Sequence, residues 1–176
     1  TAKAKGRKVR LYLSTVWGCP YEGEVSPAFL ESLFEKISKI DVQELALSDT
    51  IGVATPDTVK KVLSLVSRYV PIAKIALHLH NTYGFALANI QAGYEMGVRS
   101  FDGALGGIGG CPYAKGATGN VASDDILSLL FREKYMSHFP KDEVTQTLKF
   151  LSKEVKLNLH SALSKIMEKG GVWYGI

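Results

Sequence analysis

"VRLYLSTVWGCPYEGEVSPAFLESLFEKISKI" (Val9 to Ile40) decides the fold. Val9 to Trp17 reads as a buried strand, rich in β-branched and aromatic residues. A loop with Gly18 and Pro20 follows. Ser26 is placed to cap a helix, and Pro27 to occupy its first position. Leu30, Leu33, Phe34 and Ile37 then recur at helical spacing.

The same order returns three more times. "VQELALSDTIG" is a short strand ending at Asp49, and "TPDTVKKVLSLVSRY" is a helix opened by Thr55 and Pro56. "AKIALHLHNTYG" leads into "FALANIQAGYEMG", which Gly97 stops. "SFDGALGGIGG" enters a Gly-rich loop to Asn120, followed by "SDDILSLLFREKY" with Ser123 as its cap. After Pro140 the pattern is helical, with Val144, Leu148, Leu151 and Val155 on one face, and "NLHSALSKIMEKGG" forms the last helix. The reading divides the chain into a basic segment (1–8), four βα units (9–139) and a helical extension (140–176).

Strands alternating with helices imply an α/β fold with parallel pairing and right-handed crossovers. The unusual residues all follow a strand: Cys19 with Glu22, Asp49 with Thr50, His78 with His80, and the stretch from Gly106 to Asn120. Four contributing loops favour a TIM (β/α)8-type barrel over an open sheet, whose site would sit at one switch point. A closed barrel needs eight units and typically about 250 residues. Four units predict a half-barrel with two open parallel edges. Such edges call for a covering partner: a complementary half or a further copy of the chain.

The bulk composition fits a globular chain of 176 residues, with 46% hydrophobic and 22% charged residues. No apolar run is long enough for a membrane span. The net charge is +4, drawn partly from Lys3, Lys5, Arg7, Lys8 and Arg10. No aromatic–basic interleaving accompanies it, so nucleic acid is not an expected partner. Two cysteines make no disulfide framework and point to a reducing compartment.

"HLH" carries the strongest chemical signal. Residues two apart on a strand share a face, so His78 and His80 project together, their Cα atoms roughly 6.5 Å apart. Two imidazoles at that spacing can close on one cation. Nitrogen or thiolate neighbours would select zinc; oxygen neighbours would select magnesium or manganese. Asn120 is a candidate oxygen donor. Asp49, at the end of another strand, can order water or hold a histidine beside such a site. Cys111 sits in a loop behind Gly106, Gly107, Gly109 and Gly110, whose freedom lets backbone approach a ligand.

"GALGGIGGCPYAKGATGN", "LSDTIG", "HLHNTYG" and "STVWGCPYEG" closely resemble the 3-hydroxy-3-methylglutaryl-CoA lyase family over roughly Val9 to Leu130. The resemblance implies a TIM barrel that cleaves a CoA thioester substrate to acetyl-CoA and acetoacetate. It implies Mg²⁺ or Mn²⁺ held by His78, His80 and Asn120. Cys111 matches the family's reactive loop cysteine, Asp49 an active-site acid, and His78 a histidine with an added acid–base role. Cys19 is expected to pack near the barrel rim. The family context implies a bacterial cytoplasm or a mitochondrial matrix.

Two departures stand out. Asn81 occupies a position where many members carry Asp. The family's first-strand Arg-Asp pair has no counterpart before Val9, so the chain corresponds to strands 5–8 and holds three of the four expected protein ligands. Weak or no lyase activity is therefore expected of the chain alone. The other readings are a silent fragment that binds or assembles, and another acyl-CoA-dependent Claisen-type enzyme.

Overall fold

The computed structural model describes residues 2–110 and 119–171. Four parallel strands form one sheet in the order β1-β2-β3-β4: Arg10–Leu13, Glu44–Asp49, Ile75–Leu79 and Ser100–Asp102. The helices are α1 (Pro27–Ser38), α2 (Pro56–Val66), α3 (Ala86–Glu95), α4 (Ser123–Arg132), α5 (Lys141–Lys153) and α6 (Ala162–Glu168). Strand order equals chain order throughout. That is the winding of a barrel wall, without the reversal that marks a doubly wound sheet.

Register sorts the strand residues into two faces. Leu11, Leu45, Ile75 align in one row, and Leu13, Leu47, Leu77 and Phe101 in the next. These rows pack against Leu30, Phe34 and Ile37 of α1, Val59, Leu63 and Val66 of α2, and Ile90 of α3. The opposite face carries Arg10, Tyr12, Ala46, Ser48, Ala76, His78, Ser100 and Asp102, matched across the same register. One apolar face covered by helices and one polar face make the wall of a half-barrel, with the polar face on its inner side. Among the described residues, β1 and β4 pair on one side only.

Local sequence explains the helix starts. Ser26 Oγ accepts from Phe29 N, and Thr55 and Thr58 form a reciprocal capping box, each helix following with Pro at its first position. Gly97 takes φ 100° just after α3, in the left-handed region.

Three local expectations change. β1 ends at Leu13, short of Trp17, because Thr15 takes φ 57° and gives its N–H to Thr50 Oγ1. Ser123 is the first residue of α4 and makes no side-chain cap; its N–H is committed to Ala104 O. Val155 lies beyond the last turn of α5, where the helix no longer carries it onto the buried face, and is exposed. A second apolar cluster, Phe139, Val144, Leu148, Leu159 and Leu163, joins the C-terminal segment to Leu105, Leu127 and Phe131.

Candidate active site at the C-terminal ends of the strands

The loops after the strands are stitched to each other. Val16 N donates to Ser48 O, His80 N to Asp49 O, Asn81 N to Gly119 O, and Val121 N to Leu79 O. Gly119, at φ 90°, crosses Gly109 so closely that any β-carbon there would overlap the Gly109 carbonyl oxygen. Both ends of the loop that contains Cys111 are thus held beside His80 and Asn81. Cys111 itself lies outside the described residues.

His78 and His80 lie as the HLH spacing predicts, with one refinement. β3 ends at Leu79, and His80 follows it in an isolated antiparallel bridge to Asn120. The two rings still meet, their centroids 5.5 Å apart and their planes inclined at 52°. Asn120 Nδ2 donates to Ile108 O at 3.1 Å. That bond orients the amide, so Oδ1 is the atom a cation would take.

A cation fits these residues on one direct observation. His80 Nδ1 is buried and has no hydrogen-bond partner among the described residues. A buried nitrogen left so is costly unless something binds it. Burial, and then the neighbouring His78, hold the His80 pKa below the ordinary histidine value, against an opposing backbone hydrogen bond at Thr50. The ring is therefore neutral at neutral pH, the form that ligates metals. Among the described residues no group of three His, Cys, Asp or Glu is placed to hold a metal. Two imidazoles and one amide oxygen are an incomplete set, and further oxygen donors must come from elsewhere.

The structure turns Asp49 away from this set. It pairs in register with Leu79, on the helix-facing row. Its carboxylate accepts from Gly52 N and Val53 N at 3.0 Å and from Ala54 N at 2.9 Å, and the residue is fully buried. Burial pushes its carboxyl pKa up, and the three N–H donors pull against that. Asp49 builds the loop after β2. Cys19 is half-buried in a tight turn closed by Cys19 N to Gly23 O and the reverse bond.

Three residues of the site and its supports escaped the sequence reading. Asp102 sits beside His78 in the β3–β4 register, and its Oδ2 lies 3.2 Å from His78 Nδ1. Arg10 Nη2 donates to Asp102 Oδ1 at 2.7 Å. The signal was parity: a charged residue on a strand, in the row of the histidines, has no reason to be there except to face the interior. Asp124, fully buried in the first turn of α4, accepts from Gly106 N at 2.7 Å and so anchors the Gly-rich loop.

Comparison with known proteins agrees with the half-barrel wall. The chain is 47% identical over 129 residues to the mitochondrial hydroxymethylglutaryl-CoA lyase of Bos taurus, covering 73% of this chain and 40% of that protein. The crystal structure of the Bacillus subtilis HMG-CoA lyase superposes with a TM-score of 0.88 at 37% identity, covering 95% of this chain and 56% of that one. An HMG-CoA lyase from Acinetobacter baumannii, solved in complex with coenzyme A and 3-methylmalate, superposes at 0.85 with 35% identity, covering 93% and 53%. The chain spans about half the length of these relatives. A family model described as HMGL-like matches residues 1–160. With nine-tenths of its length inside that match and the histidine pair at the mouth of the same wall, this chain belongs to the HMGL-like family.

Proposed function

We propose that this chain supplies the metal-binding half of a lyase that cleaves 3-hydroxy-3-methylglutaryl-CoA to acetyl-CoA and acetoacetate. The observation that carries the reading is the convergence of His78, His80 and Asn120, with a buried nitrogen on His80 that has no partner among the described residues. Identity to hydroxymethylglutaryl-CoA lyases supports the substrate class, and the coenzyme A complex of the Acinetobacter relative supports a CoA thioester.

A divalent cation, Mg²⁺ or Mn²⁺, would lower the pKa of the substrate's tertiary hydroxyl and screen its charge. His78, His80 and Asn120 would hold it. His78 accepts the hydroxyl proton while its one free nitrogen is off the cation, the C–O becomes the ketone of acetoacetate, and the bond between C2 and C3 breaks. The electron pair leaves with C2 as the enolate of acetyl-CoA, and Cys111 delivers the proton that quenches it. Asp49 contributes by holding the loop beneath the histidines. The open edges of β1 and β4 need a covering partner; a second copy would also make eight units, but a complementary N-terminal half fits better because it would bring different side chains, including the further oxygen donors that His78, His80 and Asn120 leave missing.

Mn²⁺ titration followed by electron paramagnetic resonance, with an assay for acetoacetate, tests this. The expected result is Mn²⁺ uptake that His80→Ala abolishes, weak or no turnover by the chain alone, and turnover when the N-terminal half of a relative is added. No Mn²⁺ uptake, together with no turnover after mixing, would overturn the reading. Turnover by the chain alone, lost in Cys111→Ala, would keep the lyase and remove the need for a partner.

A further inference from the structure

We propose that Asp102 is a positioning residue for His78, clamped in place by Arg10 from the opposite edge of the sheet. The inference rests on the metal-binding reading above and deepens it.

Every oxygen of Asp102 is engaged. Oδ1 accepts from Arg10 Nη2 at 2.7 Å; Oδ2 lies 3.2 Å from His78 Nδ1 and accepts from Tyr12 Oη at 3.2 Å. Arg10 is fixed in turn, its Nε 2.8 Å from Glu44 Oε2 and its guanidinium carbon 4.9 Å from the centre of the Tyr12 ring. The Tyr12 ring meets the His78 ring edge-on, with centroids 6.1 Å apart. Arg10 and Tyr12 belong to β1 and Asp102 to β4, so these contacts cross the inner face over the two strands between.

The chemistry follows from the donor count. An ionised carboxylate only accepts hydrogen bonds, so the nitrogen facing it must carry the proton. Arg10 Nη2 at 2.7 Å and Tyr12 Oη at 3.2 Å both donate to Asp102, so its carboxylate is the acceptor in this cluster. A His78 ring that carries one proton is thereby set as the Nδ1–H tautomer. Its Nε2 lone pair is the one left for a cation or a substrate proton. A carboxylate behind a ligating imidazole fixes the ring's direction and strengthens it as a ligand, and losing that partner typically costs about 10–100-fold in metal affinity.

The rival account is that Arg10, Asp102 and Tyr12 only brace the sheet. Nitrogen-15 NMR of the imidazoles in the metal-free, full-length chain separates the two, with Mn²⁺ titration beside it. In the wild type His78 should be the Nδ1–H tautomer. In Asp102→Asn, whose amide can donate to Nδ1, the Nε2–H form should gain population and Mn²⁺ affinity should fall about 10–100-fold. Arg10→Lys keeps the charge without the fork and should give a smaller shift in the same direction. An Nε2–H tautomer in the wild type, or an Asp102→Asn chain that folds and binds Mn²⁺ within twofold of wild type, overturns the proposal. Should Asp102→Asn not fold, the wild-type tautomer and the Arg10→Lys affinity decide it. An Nδ1–H tautomer in a chain that takes up no Mn²⁺ would leave the Asp102–His78 pairing standing and sink the metal reading instead.

Discussion

Gly52 is pressed against Thr82: a methyl group on Gly52 would sit 2.8 Å from Thr82 Cβ and 2.9 Å from Thr82 N. Gly52 also holds φ at 75°. The loop after β2 therefore nests into the loop after β3, the one that begins with His80 and Asn81. Replacing Gly52 with Ala meets both a backbone penalty and a clash with backbone that cannot swing aside. We expect Gly52→Ala to lose about 2–3 kcal/mol of unfolding free energy, read from the urea midpoint. A change under about 0.5 kcal/mol would show that the two loops are not locked together.

Asp49→Asn keeps size and removes charge. Only one of the two side-chain atoms can then accept, while three backbone N–H groups still point inward. The amide NH₂ would face donors in a fully buried site. The expected cost is about 2–4 kcal/mol in urea unfolding. Weakened Mn²⁺ uptake should accompany it, because the Asp49 carbonyl receives the His80 N–H. Full stability with lost catalysis would instead make Asp49 a group that touches the substrate.

The two apolar clusters predict independent losses. Leu47 is fully buried in the sheet cluster, and Leu148 lies in the C-terminal one. Leu47→Ala and Leu148→Ala should each cost about 2–5 kcal/mol, and the double variant should cost their sum within about 0.5 kcal/mol. Calorimetry of the three variants checks this. A large coupling term would mean that the two clusters share packing contacts rather than standing apart.

The framework was legible because its signals are local and periodic. Ser26–Pro27 and Thr55–Pro56 announce helices by the chemistry of their first turn, and they start there. Alternation fixed the shared side of His78 and His80 even though His80 falls one residue past its strand. The misses are tertiary. Nothing local to "SFDG" says that Asp102 meets Arg10, 92 positions away. Asp49 is a strand-end acid in sequence, and only register shows it on the helix side. The early end of β1 depends on Thr50, a residue of the neighbouring loop.

Asp125 offers a pH test away from the histidines. Its carboxylate accepts from Ala162 N and Leu163 N at the start of α6. Burial first, and then the adjacent Asp124, push its pKa above the ordinary value, against the pull of those N–H groups. The folded chain therefore holds this proton more tightly than the unfolded chain. Its contribution to stability is complete below the unfolded value, about pH 3.9. It is lost as pH rises through the higher folded value. Asp125→Asn has no charge to bury and keeps an acceptor for α6. It should match wild type at the acid end and exceed it at neutral pH, with the gap opening above about pH 4. Thermal melts of both proteins across that range supply the comparison. A variant less stable than wild type at neutral pH would mean that the negative charge at the start of α6 outweighs its burial.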